Sequence, residues 1–292
     1  MAEQLEQIRK EGMKKMLIAG AFIVLIFTLI LIFSASYDVG PVFVIGLCVS
    51  VIVLSCIYGS VKKKYVAAYK ELYLRDMLEQ EFEEVTVDFE NGFSEEQIAK
   101  GHLLTLHERF YSNDYVSAKL YGIPFECSDV HIQDVVRSGK HTSVVTRFQG
   151  LYMMVPLKKK FTSWLVVREK EFLDNGNPRG WLSDMPELEK IEVEDERFNE
   201  LYSIYASDGT EAFYLLTPAF IEKLIDFEKR FEGRCYFGFW NQKMHIAIDD
   251  RKEHFELSLM SSVDEHVLYH HRTEVLMIKE IIELIQKECE VI

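Results

Sequence analysis

The sequence predicts an α+β protein, in which an N-terminal two-helix transmembrane hairpin precedes a cytosolic antiparallel sheet domain with helices on one face. Three observations support this prediction. Two long uncharged apolar runs lie near the start, segments with strand periodicity follow from about residue 103, and amphipathic helical segments occur among the later strands. The expected organisation is a cytosolic segment at 1–15, the hairpin at 16–60, a helical stalk and acidic connector at 61–101, and the cytosolic domain at 102–292.

The two apolar runs, 16–34 and 41–59, are separated by a short polar stretch around Asp38. Each is close to the ~20 residues that an α-helix needs to cross a bilayer core, and neither contains a charged side chain. A cleaved signal peptide would have a shorter apolar core of ~7–15 residues. Core helices of a soluble protein are seldom so long and so free of charge. The pair therefore predicts a membrane hairpin.

Basic residues on both flanks of the hairpin predict its orientation. Lys and Arg in short flanking segments resist translocation, whereas Asp and Glu have little influence. The stretch between the runs has no basic residue. The flanking basic residues are Arg9, Lys10, Lys14, Lys15, Lys62, Lys63, Lys64 and Lys70. We therefore expect a multi-pass protein of the bacterial inner (cell) membrane, with both its N and C termini in the cytoplasm.

The net charge of −14 belongs to the predicted cytosolic part. Residues 1–15 carry four basic and three acidic groups, and the hairpin adds only Asp38, so those parts cancel. A domain this acidic repels phosphate backbones, so nucleic acid is not an expected partner. The expected partners are the lipid bilayer and another protein.

The five cysteines are expected to be reduced thiols. Cys48 and Cys56 lie inside the second apolar run, and Cys127, Cys235 and Cys289 are widely scattered. No two have the Cys-x-x-Cys spacing of a zinc or redox site, so packing is the favoured interpretation for all five. The sequence predicts no cofactor.

The first half of the cytosolic part predicts a short helix and then a meander of strands. The acidic run at 79–90 is interpreted as a solvated connector. Ser94 and Gln97 fit a capping box for a helix that ends near Gly101. Segments rich in β-branched and aromatic residues then predict an antiparallel meander with a turn at 112–114. The expected strands are 115–121, 125–135, 143–155 and 161–168.

A loop rich in Asn, Gly and Pro leaves open a division of the domain into two subunits near 174–180. Beyond it, a turn is expected at 207–209. Thr217 and Pro218 fit the cap and first residue of an amphipathic helix. A closing helix is expected at 263–289. The expected strands are 190–193, 201–206, 234–240, 244–248 and 254–259.

Histidines are the strongest metal candidates. His266 and His270 are four residues apart, so on a helix they would share a face and could hold one metal ion. The metalloprotease pattern needs Glu directly after the first His, but Val267 is found there and Glu265 precedes it. The favoured interpretation is therefore a solvated helix start without a metal, and the pair remains the candidate if one binds.

Other catalytic signatures are weak or missing. The acidic pairs Asp195-Glu196 and Asp249-Asp250 suit acid–base chemistry only if one member is buried, and such neighbours arise by chance among 47 acidic residues. The sequence has no Gly-x-Gly-x-x-Gly, no phosphate-binding loop and no Gly-x-Ser-x-Gly elbow. These absences favour a non-enzymatic protein while leaving the alternative open.

Short motifs along the cytosolic part carry a resemblance to a known family. They are Phe148-Gln149-Gly150-Leu151-Tyr152, Phe161, 191–198, Ser203-Ile204-Tyr205, Ser207-Asp208, Glu211-Ala212 and Leu215-Leu216-Thr217-Pro218. Together with the double span, they resemble the bacterial membrane-protein family catalogued as domain of unknown function 3137, although Tyr202 stands where Phe is expected in that family. The resemblance implies two spans and a cytosolic domain, and it transfers no catalytic residue.

The sequence favours a membrane-anchored adaptor or scaffold whose cytosolic domain binds a protein partner. The alternative is a membrane-tethered enzyme or ligand sensor with an unfamiliar site. One candidate for that site is a polar group at a helix start formed by Asp208, Glu211 and Thr217, where free N–H groups can hold an anion. A transporter or channel is disfavoured, because two spans without an intramembrane charge offer no polar path.

Overall fold

The computed structural model describes residues 2–34, 40–139, 141–170, 188–260 and 263–287. The chain divides into two units, Met1–Asp76 with Glu256–His271 and Met77–Phe255 with Arg272–Ile292. The first unit is dominated by the apolar helices, and the second contains the β-sheet.

Two long helices make up most of the described part of the first unit. They are α1 (Ala2–Ser34) and α2 (Gly40–Tyr69), and a π-helical turn at Lys70–Leu74 leads from α2 into α3 (Arg75–Glu81). Helices α1 and α2 pack closely, since a Cβ atom at Gly12 would lie 2.2 Å from Val61 Cγ1. The rings of Phe27 and Phe43 meet edge to face at 5.1 Å. The predicted loop around Asp38 lies outside the described residues.

Helices α1 and α2 are long and apolar enough to cross a membrane, and no residue of the most apolar part of either is buried. The Thr28 hydroxyl donates to the Val24 carbonyl at 2.8 Å, and the Ser50 hydroxyl donates to the Gly46 carbonyl at 2.7 Å. These hydroxyls are therefore satisfied within their own helices, as an apolar environment requires.

A glutamate pairs with two of the predicted flanking lysines within the first unit. Glu256 Oε1 lies 3.3 Å from Nζ of the buried Lys70, and its Oε2 lies 3.2 Å from Nζ of Lys62. At least one lysine of the 62–64 cluster is thus paired within the protein.

The described residues of the second unit form one nine-stranded sheet, all of whose strand pairs are antiparallel. The strands are β1 (Glu83–Asp88), β2 (Arg109–Leu120), β3 (Ile123–Ser138), β4 (His141–Pro156), β5 (Leu165–Glu169), β6 (Glu189–Ile191), β7 (Tyr202–Ala206), β8 (Arg234–Trp240) and β9 (Lys243–Asp249). They lie in the order β1-β2-β3-β4-β9-β8-β5-β7-β6. The predicted meander is confirmed in β2, β3 and β4.

Five further helices follow α3 in the part of the chain that the structure describes. They are α4 (Glu95–Gly101), α5 (Glu196–Leu201), α6 (Gly209–Leu215), α7 (Pro218–Arg230) and α8 (Glu265–Ile285). An antiparallel sheet with packed helices confirms the α+β class. Helix α7 packs through Phe220 and Phe227 on the face of β8 that carries Phe237 and Phe239. Helix α4 contacts the opposite face of β8, where a Cβ atom at Gly238 would lie 3.5 Å from Leu103. Helices therefore pack on both faces of this part of the sheet, and not on one face as expected.

Local capping signals in the sequence are confirmed. Ser94 and Gln97 form a reciprocal capping box at α4, and the residue after Gly101 closes this helix in the left-handed conformation. Thr217 caps α7 by accepting from Phe220 N, and Pro218 is its first residue. Both signals act within one helical turn.

The predicted strand at 254–259 is wrong, because this segment forms turns. Its backbone N–H groups have other partners: His254 N donates to Asp129 Oδ2 at 2.6 Å, and Phe255 N donates to Glu274 Oε2 at 3.0 Å. Carboxylates distant in sequence therefore take hydrogen bonds that a neighbouring strand would otherwise accept.

Three other segments differ from their expected structure. Part of the acidic run forms the strand β1, paired with β2. The expected turn at 112–114 is a β-bulge inside β2, where Asp114 has a φ of 58°. The expected turn at 207–209 is the start of α6, because the Asp208 carboxylate accepts from Thr210 N and Glu211 N.

The suggested division near 174–180 falls outside the described residues. Strands on both sides of this segment share one sheet, since β5 pairs with β7 and β8, and β4 pairs with β9.

Candidate functional site

A groove of about 630 Å³ opens beside the starts of α5 and α7 in the second unit. Carboxylates form its rim and apolar side chains its floor. The rim residues are Glu192, Glu194, Asp195 and Glu222, and the apolar residues are Val193, Phe213, Leu216, Pro218 and Ile221.

Two polar side chains hold the acidic wall, the part of the rim at residues 192–195, in place. Asp195 Oδ1 accepts from the backbone N–H groups of Arg197 at 2.9 Å and Phe198 at 3.2 Å, which caps α5. Asn199 accepts from Val193 N at 3.0 Å and donates to Val193 O at 2.6 Å. The loop between β6 and α5 is thus tied to the helix that follows it, so the wall is formed before a ligand arrives.

The floor combines buried and exposed apolar surface. Leu216 and Ile221 are buried, whereas Phe213 is 50% exposed. Its neighbour Tyr214 is also exposed, beneath the Nζ atom of Lys159 at 5.0 Å from the ring centroid. An exposed phenyl ring beside a concave surface is typical of a site that a partner covers.

The rim remains negatively charged after its internal pairing. Arg197 forms ion pairs with Asp195, at 2.7 Å, and with Glu222. The hydrogen bond from Arg197 holds the pKa of Asp195 below its ordinary value, so this carboxylate is ionised at neutral pH. The Arg197 guanidinium therefore pairs with two of the four rim carboxylates, and the rim keeps an excess of negative charge.

The described groove is lined by carboxylates and apolar side chains. None of the nine residues that line the described groove is a histidine, cysteine or serine. Carboxylates around an apolar floor complement a ligand that carries cationic groups beside an apolar side chain.

The predicted metal candidates His266 and His270 lie in the first turns of α8, and both are exposed. Within the described residues, three or more metal-ligating side chains converge at a different place, formed by His107, Glu108 and Asp134. The pair on α8 therefore has no third protein ligand of these types among the described residues.

The polar group suggested at a helix start has structural roles. Asp208 caps α6, and Thr217 caps α7. The Glu211 carboxylate accepts from Thr162 N at 2.9 Å and Ser163 N at 2.8 Å, which fixes the segment before β5. These side chains are already occupied by protein donors.

The acidic pairs considered for acid–base chemistry are also occupied. Asp195 is the cap described above. Asp249 is buried and accepts from Gln149 N at 3.1 Å, and burial raises its pKa. Asp250 lies 3.3 Å from His254 Nε2.

The buried histidine His245 pairs with a tyrosine. His245 Nδ1 lies 3.0 Å from the Tyr152 hydroxyl, and burial lowers the pKa of His245 to about 3. This imidazole is neutral at physiological pH and acts as a core hydrogen-bonding group.

Sequence reasoning did not find the groove. Its members come from the loop after β6 and from two helices, one of which, α6, was not predicted. The available signal was the adjacent pair Phe213 and Tyr214 in a short helix. Neighbouring residues lie on different sides of a helix, so the two rings cannot both face the protein core.

Comparison with known proteins gave one family match. Residues 146–287 match the family described as "Protein of unknown function (DUF3137)". No curated protein matches the chain. The crystal structure of the mycobacterial trehalose monomycolate transport factor A is similar over 72% of this chain and 92% of that chain, with a TM-score of 0.37 and 7% identity. A likeness of that size carries no argument about this chain.

Proposed function

This chain belongs to the family described as a protein of unknown function, DUF3137, as its motifs predicted; on that premise we propose that it is a membrane-anchored adaptor whose acidic groove binds a basic segment of another protein. The groove, at residues 192–222, lies inside the part of the chain that matches the family. The exposed Phe213 ring beneath an acidic rim is the observation that carries the proposal.

The anchor is proposed to be the α1–α2 pair, with lipid around it. Exposed apolar side chains of these helices include Leu17 at 75% and Ile52 at 62%. Exposure of so long an apolar surface to water is unfavourable, whereas lipid would cover it. The flanking lysines and arginines favour a cytoplasmic position for both ends in an inner membrane. This topology makes the acidic domain cytosolic and leaves only the stretch around Asp38 outside.

The topology predicts which reporter fusions are active. Green fluorescent protein fused after Ile292 should fluoresce, and alkaline phosphatase fused there should be inactive. Alkaline phosphatase inserted next to Asp38 should be active, because that enzyme folds only outside the cytoplasm. Active phosphatase at the C terminus would overturn the cytosolic adaptor.

The partner segment is expected to carry Lys or Arg on both sides of a large apolar residue. The apolar residue would cover Phe213, Leu216 and Ile221, and the cations would face Glu192 and Glu194. Among the residues that the structure describes, neither of these two carboxylates forms an ion pair, so both are available to a partner. Rim charges contribute chiefly to the association rate and its salt dependence, and the covered ring contributes chiefly to residence time.

The groove is tested by replacing Phe213 with a photo-crosslinking phenylalanine analogue in cells. We expect a discrete crosslinked protein that is lost, or reduced at least about tenfold, when Glu192→Gln and Glu194→Gln are added. Glu196→Gln with Glu200→Gln is the matched control, because it removes the same charge from exposed positions outside the groove. The analogue at the exposed Tyr111 of β2 controls for general surface contact.

A synthetic peptide tests the charge requirement directly. Purified full-length protein in detergent should bind a labelled peptide of alternating Lys and Leu, as measured by fluorescence anisotropy, and Phe213→Ala should weaken it. A peptide with Glu in place of Lys should not bind. Equal binding of both peptides would overturn the proposed partner. In the crosslinking experiment, crosslinks only to lipid or only to a second copy of this chain would also overturn it.

A further inference from the structure

Strands β3 and β4 extend beyond their neighbour as a two-stranded arm. Strand β2 pairs with β3 as far as Arg109 opposite Gln133. Beyond that point β3 and β4 pair with each other from Asp134 opposite Val145 to Ser138 opposite His141, and no other described strand pairs with them there. An isolated pair of strands has few contacts that hold it in position. The contacts where the arm joins the rest of the sheet therefore determine how firmly it is held.

Three metal-ligating side chains converge at the base of this arm. His107 and Glu108 directly precede β2, and Asp134 is the first residue of the arm. One ligand atom of each lies within 4.8 Å of the others, and His107 Nδ1 lies 3.8 Å from Asp134 Oδ1. His107 and Asp134 are partly buried and Glu108 is exposed, so an ion could enter from solvent.

Other contacts orient the two carboxylates. Arg147 Nε donates to Asp134 Oδ2 at 3.1 Å, which leaves Oδ1 directed to His107. Glu108 Oε2 accepts from Val135 N at 3.2 Å. Hydrogen bonds of this kind hold a ligand in place behind a metal and are part of most metal sites. The cluster therefore combines three donors with their supporting contacts.

We propose that His107, Glu108 and Asp134 bind one divalent transition-metal ion, of which Zn²⁺ is the best representative. Zinc takes imidazole and carboxylate ligands at ~2.0–2.2 Å, so its tetrahedral ligand atoms lie roughly 3.4 Å apart. Here His107 Nδ1 and Asp134 Oδ1 are 3.8 Å apart, and all three ligand atoms lie within 4.8 Å of one another. The imidazole favours such an ion over Ca²⁺ or Mg²⁺, which prefer oxygen ligands alone. The bound ion joins the segment before β2 to the start of the arm, and water completes its coordination.

Binding is tested by calorimetry on the full-length protein in detergent after removal of metal with a chelator. We expect one Zn²⁺ per chain. His107→Gln and Glu108→Gln should each weaken binding at least about tenfold. Both variants keep the Arg147–Asp134 pair, and glutamine at 108 can still accept from Val135 N. In the wild-type protein only, Zn²⁺ should also slow amide hydrogen exchange in the arm.

Control variants separate this site from its rivals. His141→Gln removes an exposed histidine from the arm itself and should leave affinity unchanged. His266→Gln with His270→Gln tests the pair on α8 and should also have no effect. Loss of binding in that double variant, retention in His107→Gln, or a thiolate charge-transfer band on Co²⁺ substitution would each overturn the proposal. The test is independent of the groove, which contains none of these residues.

Discussion

Replacing His254 with glutamine is expected to lower the free energy of unfolding by about 3–5 kcal/mol near neutral pH, which is the cost of leaving buried charges without a partner. His254 Nε2 lies 3.3 Å from Asp250 Oδ2, and its Nδ1 lies 3.5 Å from Glu274 Oε1. Asp129 accepts from the His254 backbone. These distances indicate ion pairs more than well-aligned hydrogen bonds. The imidazolium lies between the carboxylates of Asp250 and Glu274, whose side chains are 6% and 9% exposed.

The pH dependence of stability should follow from the same cluster. Burial alone lowers the pKa of His254, but Asp250 and Glu274 outweigh it and raise the pKa to about 10. Because the folded-state pKa exceeds the ordinary value of ~6.5, the stabilisation is complete below that value and is lost as pH rises towards 10. Burial raises the pKa of Asp129 to about 8, which also makes stability fall with rising pH.

Thermal melting of the detergent-solubilised protein between pH 6.5 and 10 checks this. The wild-type melting temperature should fall across that range, and the difference between wild type and His254→Gln should be largest near neutrality and shrink towards pH 10. His141→Gln, on an exposed residue, should follow the wild-type curve. Parallel wild-type and His254→Gln curves would show that the imidazolium does not stabilise the fold.

Replacing Gly150 with alanine is expected to destabilise the second unit by at least about 3 kcal/mol. Gly150 lies in β4 with a φ of 151°, and a Cβ atom there would lie 2.1 Å from the Ile248 carbonyl oxygen. That oxygen belongs to the backbone of β9, so it can move only if the strand moves. The β4–β9 pairs begin at the next residue, Leu151 opposite Ile248. The added methyl group would therefore separate two central strands.

Gly139→Ala is the matched control for this prediction. Gly139 also has a positive φ, of 59°, but a Cβ there would have no atom of the described residues within 4 Å, apart from its chain neighbours. Its replacement should cost only the backbone penalty of about 1 kcal/mol. Melting temperatures of the two variants in the same detergent separate the steric clash from the backbone effect. Similar losses in both would show that β9 accommodates the methyl group.

Local sequence signals predicted those parts of the fold whose cause is local. The capping box at Ser94 and the Thr217-Pro218 helix start act through hydrogen bonds within a few residues, and both helices begin where expected. The strand at 234–240 was predicted with its bounds because its apolar and aromatic residues are continuous. The length of the apolar runs was enough to predict two long helices.

Contacts between residues distant in sequence determined those parts of the structure that sequence periodicity could not predict. The segment 254–259 has the composition of a strand, yet Asp129 and Glu274 take its backbone hydrogen bonds. The groove needed the unpredicted helix α6, and Asp134 meets His107 only because β2 and β3 pair in one register.

The amino-acid sequence by itself determined the class of the protein, its two apolar helices, its family and its excess of negative charge, since each follows from composition or from neighbours along the chain. Tertiary structure alone decided the strand order, the buried His254 cluster and the acidic groove. Their members are far apart in sequence, and strand register and helix packing set the distances between them.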